Sequence, residues 1–347
     1  MTALQEIVTS EITKRQPRRK GRGRFQRDMA EVSFGHAESF YEEWPSPICI
    51  VCDGPYGISG YPGDLSKTDK LAEWYVPHVR AWSESATPQT TLWFWNTEIG
   101  WATVHPTLQA FGWEYRACHV WDKGLGHVAG NANTKTLRKL PVTTEVCVQY
   151  VKPSRLNGMS MQDWLRHEWR RTGLPFRLAN DACGVADAAT RKYLTADHLW
   201  YFPPPDAFKA LSDYANSYGN PSGRPYFSGN GVRPFTVSEW SRQRAKFKCP
   251  VGVTNVWRRP HVGGSERVNG RRQDMRWKFK SLHGSQKPLE LIDTTIKVCT
   301  DPGDVVWEPF GGLCPALVSS WRSDRVCRSA EIVPEFYDAA VERLANA

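Results

Sequence analysis

Residues 48–57, ICIVCDGPYG, place an acid, a turn and an aromatic ring directly after a short apolar run. The run predicts a buried strand, and Asp53 and Tyr56 come at its carboxyl end. A surface loop would be more polar, and a core strand would not deliver these two side chains together. Open parallel sheets bind ligands at the carboxyl ends of their strands. The stretch therefore indicates a parallel sheet with a site at residues 53–56.

The composition is typical of a globular protein with room for two domains. The chain has 347 residues, of which 40% are hydrophobic and 23% are charged. No apolar run approaches the roughly 18 residues of a membrane span. The N-terminus lacks the apolar core of a signal peptide. We therefore expect a cytoplasmic protein without a membrane partner.

The cysteines indicate a reducing compartment rather than a metal site. There are nine of them, an odd number, scattered through the chain. Cys49 and Cys52 have CxxC spacing, but in a strand they point to opposite faces. No second pair or histidine partner follows, so we predict no metal.

Positive charge is concentrated in two segments. The net charge is +9; residues 14–27 carry eight basic groups and no acid, and residues 242–280 carry twelve basic groups against Glu266 and Asp274. Clustered cations with interleaved aromatic residues suit a phosphate backbone. The alternative is a solvated basic face that aids solubility.

Strands and helices alternate on both sides of an irregular segment rich in Pro, Gly, Trp and Arg. This rhythm predicts an α/β fold, a doubly wound sheet with a second domain inserted. We expect a flexible basic arm over 1–30, a first half of the sheet domain over 31–152, an insertion over 153–280 and a second half over 281–347. The predicted strands are 48–52, 90–96, 114–121, 145–151, 304–312 and 325–331, and the predicted helices are 69–85, 101–112, 287–300, 313–322 and 334–347.

A second candidate site lies in the last part of the chain. Residues 308–312, EPFGG, close an apolar strand and lead into a helix, and Glu331 ends the next strand. Glycines at such a turn let backbone N–H groups approach a ligand closely, and a strand-end acid can accept hydrogen bonds from ribose hydroxyls. The dinucleotide fingerprint GxGxxG is absent. The combination suggests a nucleoside-containing cofactor, with a tight turn and an exposed glutamate as the alternative.

Taken together, these stretches resemble the amino-methylating DNA methyltransferases. The catalytic motif of that family, [DNS]-P-P-[YFW], matches DGPY at 53–56, and its D-P-F-x-G-x-G motif matches EPFGGLC at 308–314. The family's H-x-x-Q-K-P matches HGSQKP at 283–288, and its W-x-K segment with a later Glu matches 121–123 and Glu145. Because the catalytic motif precedes the cofactor motif, the order resembles that of the β group.

The resemblance implies a Rossmann-like methyltransferase sheet with a mainly helical target-recognition insertion, and S-adenosylmethionine as cofactor. It implies that Asp53 and the Gly54 carbonyl accept hydrogen bonds from an exocyclic amine, that Pro55 stiffens the turn, and that Tyr56 offers a stacking face to a flipped-out base. The cofactor-binding residues that it implies are Asp53, His283, Gln286, Lys287, Pro288, Glu308, Phe310, Gly311, Gly312 and Glu331.

Two departures from the family pattern and one alternative accompany these assignments. Gly54 replaces the usual proline, and residues 313–315, LCP, lack the small polar residues common in the cofactor loop. Lys287 could instead be a surface lysine at a helix N-terminus.

DNA contacts are expected from the basic segments and from the insertion. Residues 177–194 fit a helix-turn-helix with Gly184 in the turn, braced by an amphipathic helix over 161–173. The alternative is a scaffolding α-hairpin. The candidate DNA-binding residues are Arg18, Arg19, Lys20, Lys123, Thr190, Arg191, Lys192, Arg258, Arg259, Arg271 and Arg272.

We therefore expect a DNA methyltransferase acting on adenine N6, because in the resembled family an acid at position 53 favours adenine. Cytosine N4 is the alternative, followed by a catalytically inactive DNA-binding module and by methylation of RNA or a protein side chain. Double-stranded DNA is the expected partner, a homodimer is left open, and the expected location is the cytoplasm of a bacterium or phage-infected cell.

Overall fold

The computed structural model describes residues 23–59, 62–127, 138–270 and 281–346. The strands within them are β1 (Gly23–Arg27), β2 (Ala30–Phe34), β3 (Cys49–Cys52), β4 (Thr91–Asn96), β5 (Glu114–Asp122), β6 (Thr144–Val151), β7 (Arg155–Leu156), β8 (Met159–Ser160), β9 (Val256–Arg258), β10 (Val305–Glu308) and β11 (Val326–Glu331). The α-helices are α1 (Leu71–Ser85), α2 (Glu98–Ala110), α3 (Met161–Arg171), α4 (Leu178–Cys183), α5 (Pro205–Tyr218), α6 (Val237–Ser241), α7 (Leu289–Cys299), α8 (Pro315–Arg322) and α9 (Pro334–Ala345).

In the described part of the chain, nine strands form one sheet in the order β1-β2-β11-β10-β3-β4-β6-β5-β9. The run from β2 to β4 is parallel, and β6 is antiparallel to both of its neighbours. From β3 the chain continues outward to β4, and from β10 it continues outward to β11 in the opposite direction. The strand order therefore reverses between β10 and β3. This confirms the predicted doubly wound α/β sheet and puts its ligand-binding crevice beyond the carboxyl ends of β10 and β3.

Both faces of the sheet are covered by helices, so its central strands are buried on both sides. All four residues of β3 are buried, as expected for a central parallel strand. Cys49 belongs to the core cluster that includes residues of α7, α8 and α9, whereas Cys52 belongs to the cluster that includes residues of α1 and α2. The two thiols therefore point to opposite faces, as predicted.

The described residues contain neither a cluster of metal ligands nor a helix able to cross a membrane. No group of three or more metal-ligating side chains in these ranges could hold a metal ion. No described helix combines the length and the apolar character that a membrane crossing requires.

The predicted flexible arm is wrong over its last residues. Residues 23–27 form strand β1, which pairs antiparallel with β2 and packs Phe25 against the core. Arg24 forms ion pairs with Glu31 at 3.1 Å and with Glu43 at 2.8 Å. These intramolecular partners hold the segment to the sheet. Residues 1–22 of the predicted arm lie outside the described residues.

The insertion begins where it was predicted but ends earlier. The chain divides into a larger unit, Met1–Lys152 with Ala245–Ala347, and a smaller unit, Pro153–Arg244. The predicted boundary at residue 280 is wrong for this compact unit. Strand β9 pairs parallel with β5, so Val256–Arg258 extends the sheet of the larger unit instead.

The smaller unit is mainly helical and is built around buried aromatic residues. Trp164 and Trp169 of α3, Phe208 of α5 and Trp240 of α6 are fully buried, and the rings of Phe208 and Trp240 stack with centroids 4.0 Å apart. The fully buried carboxylate of Glu168 in α3 accepts hydrogen bonds from the Phe227 N–H at 2.9 Å and from the arginines at 171 and 224.

The structure contradicts the predicted helix-turn-helix. The amphipathic helix predicted over 161–173 is confirmed as α3. Gly184 follows the last residue of α4 and has a left-handed backbone conformation, as the predicted turn requires. The second segment, however, is a five-residue π-helix, Ala189–Tyr193. It is too short to lie along a DNA groove as a recognition helix. The spacing of small residues in a sequence indicates a turn between two helices but does not determine how long the second helix is. The sequence therefore predicted a recognition helix where the structure has only this short segment.

We predict that Glu168→Ala destabilises the smaller unit by about 3 kcal/mol, because it leaves two arginines without their shared carboxylate. The midpoint of urea unfolding, followed by tryptophan fluorescence of the whole chain, measures this change. Asp213→Asn is the matched control, since Asp213 forms a solvent-exposed ion pair with Lys209 on α5. Equal midpoint shifts in the two variants would contradict the role of Glu168.

Candidate active site

The loop that follows β3 carries the predicted catalytic residues and is fixed from two sides. The carboxylate of Asp64 accepts hydrogen bonds from three consecutive N–H groups, those of residues 56–58, at 2.8–3.1 Å. Asn96, at the end of β4, donates from Nδ2 to the Pro55 carbonyl at 3.1 Å. Sequence analysis missed both residues, because an acid in a Gly-containing loop is common on protein surfaces and carries no specific signal.

Asp53, the predicted catalytic acid, is held by two donors on one oxygen. Lys287 Nζ lies 2.9 Å from its Oδ1, and the Tyr56 hydroxyl donates to the same oxygen at 2.9 Å. Both of these contacts fall on Oδ1. Burial raises the pKa of Asp53, and the positive charge of Lys287 partly offsets this effect.

Lys287 belongs to a row of alternating charges. Its Nζ lies 3.3 Å from Glu145 Oε2, and Glu145 in turn forms an ion pair with Lys123. We call the residues Lys123, Glu145, Lys287 and Asp53 the charge chain. Burial would lower the pKa of Lys287, but the two carboxylates outweigh burial and raise it. Burial would raise the pKa of Glu145, but the two lysines outweigh burial and lower it. Lys287 and Glu145 are consequently both charged at neutral pH.

The charge chain corrects one prediction and bears on two others. The surface-lysine interpretation of Lys287 is wrong, since its side chain is 0% exposed. The ammonium of Lys123 is paired with Glu145 and lies over the Trp121 ring, so its DNA contact stays a prediction. Tyr56 is only 5% exposed, so its hydroxyl contact to Asp53 is the role that this conformation displays, and the stacking role stays a prediction.

Gly54 has a steric reason to depart from the family's proline. A Cβ at this position would lie 2.5 Å from the Tyr75 hydroxyl and 2.6 Å from Cδ2 of Phe310. The two aromatic side chains occupy the volume that a larger residue would need. The Phe310 ring also packs against Trp74 and His78 of α1, which limits its ability to move away.

On the cofactor side, the turn after β10 is folded tightly onto the strand-end acid. A Cβ on Gly311 would lie 2.6 Å from Cys314 Sγ, and Gly312 has a left-handed φ of 52°. The Gly312 N–H donates to Glu331 at 2.6 Å, and the Val333 N–H donates to its other oxygen at 2.7 Å. The turn therefore requires glycine at both positions, and the carboxylate of Glu331 is held in place beside it.

Cys314 occupies the position of the second glycine of the family motif. Its φ of 50° lies in the left-handed region, which glycine tolerates best. The backbone thus keeps the conformation that the family motif specifies, although the residue has changed. The sequence departure at 313–315 therefore alters the side chains of this turn but not the left-handed conformation of its backbone.

These two loops meet in one cavity of about 770 Å³, counting the part open to solvent. The predicted residues that line it are Asp53, Gly54, Pro55, His283, Gln286, Lys287, Phe310, Gly311, Gly312 and Glu331.

Two predicted cofactor residues do not line the cavity. Glu308 accepts hydrogen bonds from the N–H groups of Ala316 and Leu317, so it stabilises the first turn of α8. Pro288 is buried at the start of α7, where it serves as the N-cap residue. A motif match gives the order of residues along the chain but not what each side chain contacts, so it did not reveal either of these roles.

Sequence analysis also missed one wall of the cavity, formed by His36, Glu38, Trp74 and His78. His78 is fully buried, with Nδ1 2.9 Å from the Tyr41 hydroxyl and Nε2 3.2 Å from Glu38 Oε1. Burial lowers its pKa to about 4, so the ring is neutral at physiological pH. A histidine on the buried face of a helix gives no functional signal in a single sequence.

The predicted DNA-binding residues are dispersed over the chain. Arg18, Arg19, Lys20, Arg271 and Arg272 lie outside the described residues.

Three more of these residues lie in the smaller unit. The Thr190 N–H donates to Asn180 Oδ1 at 3.0 Å, and Arg191 pairs with Asp187 at 2.9 Å, while Lys192 is exposed. Thr190 is therefore engaged within the unit, and Lys192 is the residue best placed to meet a phosphate.

Arg258 and Arg259 follow one another at the edge of the sheet in the larger unit. Arg258 is exposed on β9. Arg259 forms ion pairs with Glu266 at 2.8 Å and with Glu290 at 3.2 Å. Arg258 is thus the more available of the two cations.

Comparison with known proteins identifies the family. The sequence profile of the N6/N4 DNA methylases matches residues 48–342. The chain belongs to this DNA methylase family. S-adenosylmethionine is the methyl donor of the family, and the glycine turn and Glu331 fit a nucleoside with a ribose.

The individual relatives share only a modest part of their sequence with this DNA methylase. It is 26% identical over 226 residues to the type II methyltransferase M.Cfr9I of Citrobacter freundii, covering 64% of this chain and 62% of that one. It is 30% identical over 124 residues to M.ScaI of Streptomyces caespitosus, covering 34% and 38%. The matches thus span less than two thirds of these relatives' length.

One solved structure supports the fold. The cytosine-N4-specific PvuII DNA methyltransferase superimposes with a TM-score of 0.52 at 11% identity, over 91% of this chain and 89% of that one. At this identity the likeness concerns the fold alone.

The position of Glu331 predicts a pH dependence of cofactor affinity. Burial raises its pKa to about 7. Hydrogen bonds from ribose hydroxyls would stabilise the charged carboxylate, so the Kd for S-adenosylmethionine should fall as pH rises from 6 to 8 and level off above, by about tenfold per pH unit at most. Isothermal titration calorimetry across this range measures the change.

Glu331→Gln is the control for this titration, because it removes the carboxyl but leaves every other titrating group. It should bind more weakly and with a flatter pH profile. The comparison cancels the titration of the ligand's own amine and of Glu308, whose pKa burial raises to about 8. An equally steep profile in the variant would contradict the assignment of Glu331 to ribose.

Proposed function

We propose that this protein is a DNA methyltransferase that transfers a methyl group from S-adenosylmethionine to the exocyclic N6 of adenine in flipped-out DNA. The observation that supports the proposal most strongly is the meeting of two distant segments. Asp53, Gly54 and Pro55 line the same cavity as Phe310, Gly311 and Glu331. An acceptor for an amine and a cradle for a nucleoside therefore share one crevice.

The cofactor half of this cavity has the groups that a nucleoside requires. Glu331 would accept hydrogen bonds from the ribose, and the turn at 310–312 would line the pocket beside it. S-adenosylmethionine would supply an electrophilic methyl group on a positively charged sulfur.

The catalytic half would act on the amine through oriented acceptors. An exocyclic amine is a poor nucleophile, since its lone pair is delocalised into the ring, and it becomes positive as it gains a methyl group. Asp53 Oδ2 and the Gly54 carbonyl would accept hydrogen bonds from the NH₂ group and stabilise this charge. The nitrogen then loses a proton, which would pass to one of the acceptors that hold the NH₂ group. Asp64 and Asn96 keep the turn rigid during the step.

A base can reach this position only outside the double helix. The catalytic acid lies in a crevice of the sheet, where a stacked base has no access, so base flipping is required. Tyr56 would offer its ring to the extruded base after a local rearrangement, because the ring is buried in the conformation described.

DNA would be held by the basic segments and read by the inserted unit. Lys192 and Arg258 are exposed cations on the smaller and larger units. They would neutralise phosphates, which positions the duplex without reading its sequence.

We predict that expression in a host without DNA methylation yields N6-methyladenine, and that Asp53→Ala abolishes it while DNA and cofactor binding persist. Mass spectrometry of nucleosides measures the product. N4-methylcytosine alone would replace the adenine assignment by the cytosine one. Cofactor binding without any product would favour an inactive DNA-binding module, and product in RNA alone would move the activity to RNA.

We also predict that Arg18→Gln, Arg19→Gln and Lys20→Gln together weaken DNA binding equally on all sequences. Each lost phosphate contact lowers the slope of log affinity against log salt by about 0.9, so the triple variant should lose up to about three units of slope. Fluorescence anisotropy at several salt concentrations measures it. Lys297→Gln, which breaks an exposed ion pair on α7, is the control. Loss of affinity for one sequence alone would make these residues readers.

A further inference from the structure

The charge chain places a buried cation beside a site that would stabilise positive charge. Lys287 Nζ lies 2.9 Å from Asp53, and its side chain is 0% exposed. Its ammonium also lies 5.1 Å from the centroid of the Tyr56 ring and 5.6 Å from that of Trp95. Two charges as close together as those of Lys287 and Asp53 interact strongly in a protein interior. A lysine here therefore needs an explanation, because it opposes the charge that develops on the amine.

Counting charges shows why Glu145 matters. Lys287 and Asp53 alone would sum to zero and leave the acceptor with little net negative potential. Glu145 lies 3.3 Å from the same ammonium, so the group of three carries one negative charge. Lys123 neutralises the far side of Glu145 and lies farther along the row. With Lys123 the four formal charges sum to zero, so what Glu145 changes is how strongly Lys287 offsets Asp53, and of the four residues it is Asp53 and Lys287 that line the cavity.

The same arrangement fixes the direction of Asp53. Lys287 and the Tyr56 hydroxyl both contact Oδ1, and the Tyr56 hydroxyl lies 3.4 Å from Glu145 Oε2 as well. Lys287 also donates to the Ser285 carbonyl at 3.3 Å, which ties the ammonium to the loop before α7. The carboxylate of Asp53 can then rotate little, and Oδ2 points away from its holders.

Building on the proposed methyl transfer, we propose that Lys287 and Glu145 are positioning residues for Asp53. Lys287 holds Oδ1 so that Oδ2 meets the target amine, and Glu145 supplies the negative charge that keeps Lys287 from neutralising this acceptor. Neither residue touches the reacting atoms; both act through Asp53.

The proposal predicts opposite pH shifts in two variants. In Lys287→Met, Asp53 and Glu145 lose the cation between them, and only Glu145 keeps a cationic partner, Lys123. The acidic limb of the methyl-transfer rate should therefore move up by about one pH unit or more. In Glu145→Gln, a repelling neighbour of Asp53 is removed, so the limb should move down. The plateau rate should fall as well, because Lys287 then neutralises Asp53 alone. Lys287→Arg should restore the limb of the natural protein.

Three titrating groups near Asp53 have pKa values outside the range from pH 5 to 9. Burial raises the pKa of Cys52 and of Cys147 above this range, and burial and Lys287 lower the pKa of His283 to about 4. Glu331, on the cofactor side of the same cavity, does titrate within the range, because burial raises its pKa to about 7. The rates are therefore measured in single turnovers at saturating S-adenosylmethionine and DNA.

A binding experiment without DNA tests the charge argument independently of turnover. S-adenosylmethionine is a cation at sulfur, whereas S-adenosylhomocysteine is its neutral thioether. Calorimetry at pH 9 gives the ratio of the two Kd values. Glu145→Gln should reduce the preference for the cation by about fivefold, since it removes the negative charge that offsets Lys287, a residue that lines the cavity. Glu114→Gln, an exposed ion-paired acid on β5, is the matched control and should leave the ratio unchanged.

The outcomes separate this inference from the proposed function. Methyl transfer by the natural protein with pH limbs that move in the same direction, or do not move, would overturn the positioning roles and leave the function standing. An unchanged preference for the cation in Glu145→Gln would overturn the charge argument even if Lys287→Met failed to fold. Absence of transfer by the natural protein would overturn the function itself.

Discussion

The ion pair between Lys287 and Asp53 is the interaction on which the site depends. It joins the loop after β3 to the loop before α7, two segments at opposite ends of the chain that only the folded sheet brings together. Buried ion pairs contribute little net stability, because desolvation offsets most of their attraction. Its value is therefore geometric: it orients the carboxylate of Asp53 in the crevice and separates it from the second acid, Glu145, which lies on the other side of the same ammonium.

The topology of the sheet makes this meeting unavoidable. The strand order reverses between β10 and β3, so the loops after these neighbouring strands diverge and leave a crevice. One loop carries the acceptor for an amine, and the other carries the glycine turn held by Glu331. Membership of the N6/N4 DNA methylase family agrees with this division. The inserted unit, Pro153–Arg244, interrupts the chain between the two halves without interrupting the sheet core.

Much of the fold could be predicted because burial leaves a periodic trace. The apolar run at 49–52 is buried on both sides, which only a central parallel strand requires, and the motif acids follow its end and that of β11. The strands at the edges of the sheet have weaker periodic patterns in the sequence. The strand at 23–27 is short, basic and half exposed, so it has the composition of a flexible arm, and β9 lies within a segment whose charges conceal its pairing with β5.

The sequence by itself determined the central strands of the sheet, the order of the two motifs and the acids at the strand ends, since each depends on neighbours along the chain. Tertiary structure alone decided which side chains share a partner. Lys287 proved to be buried against Asp53 and Glu145, Lys123 was paired internally, and Glu308 stabilised a helix instead of lining the cavity. The contacts of Lys287 with Asp53 and Glu145 join distant parts of the chain and depend on how the strands are ordered in space, and residue spacing within a motif carries no information about that order.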